Sequence, residues 1–145
     1  MRTPAILAAC LALATTSLAW AAPPALAASD AWVRVIPGAA VAAAYLTLHN
    51  GGSEPVSIIG VRSPLAAMAM IHETRLIGTQ SSMRAHEELL LAPGQTVRLA
   101  PGGLHVMLHD LSPGLQPGDA VPLVLLLKGG ATLTVTARVR PLASE

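Results

Sequence analysis

The chain has 145 residues, nine of them Lys or Arg and eight Asp or Glu, which gives a formal net charge of +1 with neutral histidines. This length suits one domain with one continuous core and leaves no room for a second catalytic module. The nearly balanced charges form no basic stripe, and only one Tyr and two Trp offer stacking surfaces. Nucleic acid and anionic lipid are therefore not expected as partners.

The first 27 residues predict a cleavable secretory signal peptide. Arg2 precedes the apolar run Ala5 to Ala22, and the small-residue sequence Ala25-Leu26-Ala27 predicts cleavage after Ala27. An uncleaved transmembrane anchor is the weaker alternative, because polar residues interrupt the run and two prolines follow it. We expect an exported protein whose single domain covers residues 28–145.

Cys10 is the only cysteine, and it lies inside the predicted signal peptide. The sequence Leu7-Ala8-Ala9-Cys10 resembles a bacterial lipoprotein cleavage box, although the residues that follow stay apolar, so lipidation is a weaker alternative. Removal of Cys10 would leave a domain with no disulfide, no thiolate ligand and no thiol nucleophile. The chain also lacks a Gly-x-Ser-x-Gly elbow and a phosphate-binding glycine loop, so it is not expected to be an enzyme.

Turn signals rich in Gly, Pro, Asn and Ser divide the rest of the chain into short apolar or alternating runs. Between Ala131 and Val139, threonines alternate with apolar residues, which is typical of a strand with one solvent-exposed face. The runs predict an all-β protein, a β-sandwich, with strands at Trp32 to Ile36, Ala43 to His49, Val56 to Val61, Met68 to Glu73, Glu88 to Leu91, Thr96 to Leu99, Leu104 to Leu108, Val121 to Leu127 and Ala131 to Val139.

Two histidines and two methionines, His72, Met83, His105 and Met107, carry the main indication of function. His105 and Met107 stand two apart in one predicted strand, so both side chains project from the same face. His72 ends another predicted strand, and Met83 follows it in the stretch Gly78 to Arg84, where a loop is expected to fold back beside that strand. A thioether sulfur binds hard cations poorly but suits Cu(I) together with neutral imidazole. The set predicts a Cu(I) site if the two strands are neighbours.

Each of these residues also has an ordinary interpretation, because methionine usually fills gaps in a core and histidine usually makes partly solvated hydrogen bonds. Met68 and Met70 share the predicted strand face of His72; core packing is the favoured interpretation for them, and a transient copper-docking role for Met70 is the alternative. His49 and His86 lie near predicted turns and are expected to be surface histidines.

The spacing His-x10-Met-x21-His-x-Met resembles the fingerprint of the periplasmic copper chaperone family PCu(A)C. Other segments of the chain are similar to segments of that family in the same order, namely Asp30 to Arg34, Ala43 to Leu48, Ile71 to Thr74, Pro101 to Leu108 and Gly118-Asp119. Glu73 departs from the pattern, since some members have a methionine there, and His109-Asp110 replaces a Met-Gly pair found in many members. These departures lie beside the four matched positions.

The resemblance implies a cupredoxin-like Greek-key β-sandwich or barrel that binds one Cu(I) through His72, Met83, His105 and Met107. It further implies a periplasmic carrier that helps supply the binuclear copper centre of cytochrome c oxidase, alongside a thioredoxin-like copper protein. Because a carrier must release its ion to a partner, we expect at least one of Met83 and Met107 to be accessible to solvent.

Two other classes of function stay open from the residues alone. A secreted β-sandwich used for adhesion or assembly would place the His/Met set in its packing and present a bare strand edge as its working surface. A small metalloenzyme would need a substrate cleft beside its ion. A shallow, exposed His/Met cluster would favour the copper carrier over both.

Overall fold

The computed structural model describes residues 25–141, and all regular secondary structure in this part of the chain is β. The ten strands are β1 (Leu26–Val35), β2 (Val41–Asn50), β3 (Val56–Arg62), β4 (Ala66–Ile77), β5 (Gln80–His86), β6 (Leu89–Leu91), β7 (Thr96–Leu99), β8 (Leu104–Leu111), β9 (Ala120–Leu127) and β10 (Thr132–Arg140). The predicted all-β class is therefore confirmed. Within residues 25–141, no helix has the length and apolarity needed to cross a membrane.

Seven of the strands form a closed barrel, in the order β4-β8-β2-β1-β10-β9-β3. The pairing of Val61 in β3 with Ala69 in β4 returns the sheet to its first strand. The pairing of β1 with β10 is parallel, and the other pairings along this ring are antiparallel. The remaining strands β5, β6 and β7 pair with β4, β3 and β2 respectively.

Alternation along the strands decides which side chains fill the barrel. In β10, Val135 and Ala137 are buried while Thr134 and Thr136 are exposed, as the alternating sequence predicts. The interior is completed by residues from the other strands, chiefly Val33, Leu46, Leu48, Ile58, Leu91, Leu108, Val121, Leu123 and Leu125. The apolar core is continuous.

The same alternation orients β8, the strand that carries two of the predicted ligands. Val106 and Leu108 are fully buried in the core. His105, Met107 and His109 therefore project from the outer face of the barrel, with their backbone fixed by the packing of their neighbours. A rigid strand surface is a suitable base for a binding site.

Strand β5 was not predicted; the stretch from Gly78 to Arg84 was expected to be a loop. Ile77 instead pairs with Gln80 across a two-residue turn, which makes β4 and β5 a hairpin. Gly78 has a φ of 64° and Thr79 has no positive φ, as a type II′ turn requires. Met83 therefore lies in a strand, at a position set by this register.

The first strand begins before the predicted end of the signal peptide. Leu26 is buried and pairs with Asn50, and Ala27 pairs with His49. Cleavage after Ala27 stays a prediction, but it would remove two residues that the barrel uses. Cys10 and the rest of the predicted signal peptide up to residue 24 lie outside the described residues.

A chain that starts at Ala28 is expected to be less stable than one that starts at Ala25. The Leu26 side chain is 3% exposed, and its burial contributes about 2 kcal/mol to the free energy of unfolding. The shorter chain loses this contribution. Urea denaturation of the two chains measures the difference. Equal denaturation midpoints would show that the first residues of β1 contribute nothing to stability. Mass spectrometry of the exported protein identifies the residue at which the mature chain starts.

Candidate metal centre

The candidate site occupies the outer face of the paired strands β4 and β8. In their antiparallel register, His72 lies opposite His105, Met70 opposite Met107 and Met68 opposite His109. The buried Ile71 in β4 and Val106 in β8 point the other way, into the barrel. We refer to the surface formed by these three histidines and three methionines as the His/Met face. Strands β4 and β8 are thus neighbours, which is the arrangement that the predicted site requires.

The two directly opposed histidines form the centre of this face. The ring centroids of His72 and His105 are 6.0 Å apart, and the ring planes are inclined by 23°. His105 is only 5% exposed, and its Nδ1 lies 3.0 Å from the carbonyl oxygen of Gly103. A carbonyl can only accept, so His105 donates from Nδ1 and keeps the lone pair of Nε2 free. A histidine fixed in this way by a backbone carbonyl is suited to hold a metal ion.

His72 supplies a second free nitrogen. Its Nδ1 is buried and has no hydrogen-bond partner among the described residues. Burial, and next the charge of His105, lower the pKa of His72 below its ordinary value, so the ring is neutral at pH 7. An unpartnered buried polar atom is costly unless a ligand satisfies it. The two histidines therefore fit the requirements of a metal site.

The two predicted methionine ligands lie on either side of His72. Met107 is half-buried between Ala43 of β2 and Met70 of β4, and it is diagonal to His72. Met83 pairs with Thr74, which places it on the His/Met side of β5, diagonal to His72 in the other direction. It is 53% exposed, so the expected solvent access of at least one of these methionines is confirmed.

The structure thus brings His72, His105 and Met107 together and holds Met83 further away. One strand, β4, separates Met83 from Met107, and His72 on β4 lies between them along the sheet. For both sulfurs to reach one ion, the exposed β4–β5 hairpin must curl toward β8. Within residues 25–141, no group of three or more His, Cys, Asp or Glu residues is arranged to hold a metal ion, so a site with more than two ligands here needs the methionine sulfurs.

The favoured interpretation of Met68 and Met70 as core residues is wrong. Met68 is 50% exposed and Met70 is 37% exposed, because the face that they share with His72 is the outer one. His49 is exposed and contacts the Thr96 hydroxyl at 2.9 Å, which confirms the expectation of a surface histidine. His86 is half-buried, and its Nε2 lies 3.1 Å from a Glu73 carboxylate oxygen.

Glu73 neighbours His72 in sequence but belongs to the opposite face of β4. Its carboxylate accepts hydrogen bonds from Arg75 at 2.7 Å and from His86. These bonds, that from Arg75 above all, lower the pKa of Glu73. The carboxylate is therefore ionised and occupied, and the hard oxygen donor closest in sequence to the site does not contribute to it.

Two aromatic residues that were not predicted as metal ligands extend the site across β2 and β1. The ring of Tyr45 lies 6.4 Å from that of His105, and the ring of Trp32 lies 4.5 Å from that of Tyr45. Tyr45 is buried, and the guanidinium groups of Arg34 and Arg140 lie over Trp32 at 5.6 and 4.9 Å. This aromatic row packs along the side of His105 and limits the movement of its ring.

Three surface grooves of the described residues have linings that contain none of the four predicted ligands. The largest, of about 670 Å³, is lined mainly by residues 35–40 and 111–117, away from both histidine rings. The second is lined in part by Trp32, Arg34 and Arg98, and the third by residues of β1 and β10. The His/Met face lies on the outer surface of strands β4 and β8, outside these three grooves.

The lowered pKa of His72 predicts that the stability of the metal-free protein falls on acidification. Between the ordinary pKa of about 6.5 and the lower folded value, the unfolded chain binds a proton that the folded chain resists, so unfolding becomes easier as pH drops. We expect Tm to decrease between pH 7.5 and 5.5, and the His72→Gln variant to lose less over the same range. Parallel curves for the two proteins would contradict this.

The comparisons with known proteins agree with this architecture. The family model described as putative lipoprotein LpqE-like matches residues 26–139. A curated relative, the putative lipoprotein Lxx21020 of Leifsonia xyli subsp. xyli, is 32% identical over 113 residues, which cover 77% of this chain and 68% of the relative.

Two solved structures share the fold. The copper-bound PCuAC domain from PmoF2 is 27% identical with a TM-score of 0.67, covering 82% of this chain and 95% of that domain. The solution structure of CuI-DR1885 from Deinococcus radiodurans is 31% identical with a TM-score of 0.67, covering 85% of this chain and 83% of that one. The barrel is therefore of the PCuAC type, and the match over nearly all of residues 25–141 shows that the chain belongs to the LpqE-like family.

Proposed function

We propose that this protein is a Cu(I) carrier that binds the ion on the His/Met face and passes it to another protein. The observation that carries the proposal is the pair of opposed histidines. His72 and His105 each have a nitrogen without a protein partner, and accessible thioether sulfurs adjoin them. Neutral imidazole and thioether together select Cu(I) over hard cations.

The proposed ligands are His72, His105 and Met107, with Met83 completing the set when the β4–β5 hairpin closes. All four are neutral, so the bound ion keeps its single positive charge and is held less tightly than by thiolates. The exposure of Met83 gives a partner's sulfur access to displace it while the histidines still hold the ion. Such a stepwise ligand exchange is the mechanism we propose for release.

Two comparisons support copper as the cargo. The structure from PmoF2 is described as copper-bound and that of DR1885 as a Cu(I) form, and both share this fold at more than a quarter identity. The resemblance of the spacing His-x10-Met-x21-His-x-Met to PCu(A)C proteins points to the same ion. We therefore propose one Cu(I) at this centre and no enzymatic activity.

We also propose export to the periplasm, with the binuclear copper centre of cytochrome c oxidase as the destination and a thioredoxin-like copper protein as a partner. The predicted signal peptide and the putative-lipoprotein description of the matching family support export. The destination and the partner rest on the resemblance alone. Lipidation at Cys10 is the alternative mode of export, and mass spectrometry of the exported protein distinguishes the two.

The experiment that tests the carrier is an anaerobic competition between the protein and a chromogenic Cu(I) chelator at pH 7. We expect the protein to withdraw copper from the chelator. Because imidazole must be neutral to coordinate, affinity should fall on acidification as pH approaches the pKa of His72, which lies below its ordinary value. Failure to withdraw copper at pH 7 would overturn the proposal and favour the adhesion or assembly module, for which the edge strand β5 and the exposed Leu76 and Ile77 at its hairpin would be the working surface.

A further inference from the structure

The lower part of the His/Met face carries donors that the proposed carrier site does not use. Met68 and Met70 are alternate residues of β4, so both project outward, and His109 of β8 lies opposite Met68. Opposed residues of an antiparallel pair have Cβ atoms about 5 Å apart, and diagonal ones about 7 to 8 Å apart. The two sulfurs and the imidazole are thus close enough to share one ion.

The exposure of these side chains is not explained by packing. Met68 is 50% exposed and Met70 37% exposed, while their strand neighbours Ala69 and Ile71 face the barrel interior. Within residues 25–141, neither the Met68 nor the His109 side chain makes a hydrogen bond or ion pair that would fix its position. Two flexible thioethers side by side, opposite an imidazole, form a soft donor set in a position that the fold does not need to fill.

The site is also open on its far side. Next to His109 on β2 lies Val41, itself 37% exposed, where the neighbour of His105 is the aromatic Tyr45. The upper centre therefore has a rigid, half-buried geometry, and the lower set has a flexible, solvent-accessible one. We therefore expect the lower set to bind a metal ion more weakly and to exchange it faster than the upper centre.

We propose that Met68, Met70 and His109 form a second soft-metal site, selective for monovalent Cu(I) or its analogue Ag(I). This second site adjoins the carrier centre, since Met70 lies directly opposite Met107. It rests on different residues from the proposed function and can exist without it. In the complete protein, an ion can enter at Met68 and move to His72 and His105 by exchanging one ligand at a time.

The test is the stoichiometry of Ag(I) binding, measured by isothermal titration calorimetry and by native mass spectrometry. The full chain is used with Cys10→Ser in every variant, so that the single thiol does not bind the ion. We expect two equivalents for this parent, a tight one and a second at least tenfold weaker. Met68→Leu/Met70→Leu, which preserves side-chain size, should bind one equivalent, and His109→Gln should weaken the second by at least tenfold.

Matched controls separate the two centres. His49→Gln, at a surface histidine far along β2, should keep both equivalents, and His72→Gln should lose the tight one and keep the weak one. Binding of a single equivalent that the Met68→Leu/Met70→Leu variant retains would overturn the second site. A single equivalent lost in that variant but retained in His72→Gln would support the second site and overturn the proposed carrier centre.

Discussion

Replacement of His72 by glutamine is expected to weaken Cu(I) binding at the carrier centre by about a hundredfold or more. His72 lies between the other proposed ligands, opposite His105 and diagonal to both Met107 and Met83. Loss of a residue that merely orients a metal ligand typically costs 10- to 100-fold in affinity, so loss of a ligand should cost at least that much. Competition with a chromogenic Cu(I) chelator measures the change.

The same substitution should leave the metal-free fold intact. His72 Nδ1 makes no hydrogen bond among the described residues, so replacing the ring removes no protein partner of that atom. His105 is a poorer choice for this test, because it is buried and bonded to Gly103. Unchanged Cu(I) affinity in a folded His72→Gln protein would show that the opposed histidines do not hold the ion.

Met83→Leu provides a graded comparison within the same centre. Met83 is more exposed than the other proposed ligands and reaches the ion only if the β4–β5 hairpin curls toward β8. We therefore expect a smaller loss of affinity than for His72→Gln and a faster transfer of copper to a thiolate acceptor. A loss equal to that of His72→Gln would indicate that the hairpin is closed whenever copper is bound.

Local periodicity was sufficient to predict most of the barrel strands and the outward pair on β8. The buried Val106 and Leu108 alternate with His105 and Met107, and this order is written directly in the sequence. The predicted site required that β4 lie beside β8, but the sequence did not imply it. His72 and Met107 are separated by 34 residues of turns and strands, and no local pattern in them indicates which strands pair. Strand order depends on closure of the whole barrel.

The errors have physical causes. Strand β5 is almost entirely exposed and polar, so it lacks an apolar period; it is a strand because β4 supplies hydrogen-bond partners along its full length. Met68 and Met70 were assigned to the core because methionine is apolar, although the face they share with His72 was predicted correctly. Which face of β4 is interior depends on its neighbours, and the sequence of β4 alone has small or apolar residues on both sides.

Asn50 shows how a local signal can be correct and still omit the main role of a residue. The sequence Asn50-Gly51-Gly52-Ser53 predicts a turn, and a turn follows β2. Asn50 is nevertheless fully buried, which a turn signal does not predict. Its amide nitrogen donates to the carbonyls of Glu54 and Leu91, and its amide oxygen accepts from the Gly52 N–H.

Asn50→Ala is therefore expected to lower the free energy of unfolding by about 3 kcal/mol, because it leaves buried backbone groups without partners. The affected carbonyl of Leu91 lies in β6, and the backbone of Asn50 itself bonds to Gln95 and Gly94, so β2, β6 and the loop between β6 and β7 loosen together. Urea denaturation measures the loss.

Gln95→Ala is the matched control, since the Gln95 side-chain amide is exposed and accepts one bond from the Ala92 N–H. It should cost well under half as much as Asn50→Ala. Asn50 lies at the end of β2 away from Val41 and the His/Met face, so the folded Asn50→Ala protein should bind Cu(I) with unchanged affinity. A similar loss of stability in both variants would show that burial of the Asn50 amide adds nothing to the effect of an ordinary hydrogen bond. A loss of copper affinity in Asn50→Ala would show that the carrier centre depends on the whole barrel and not only on the packing of β4 against β8.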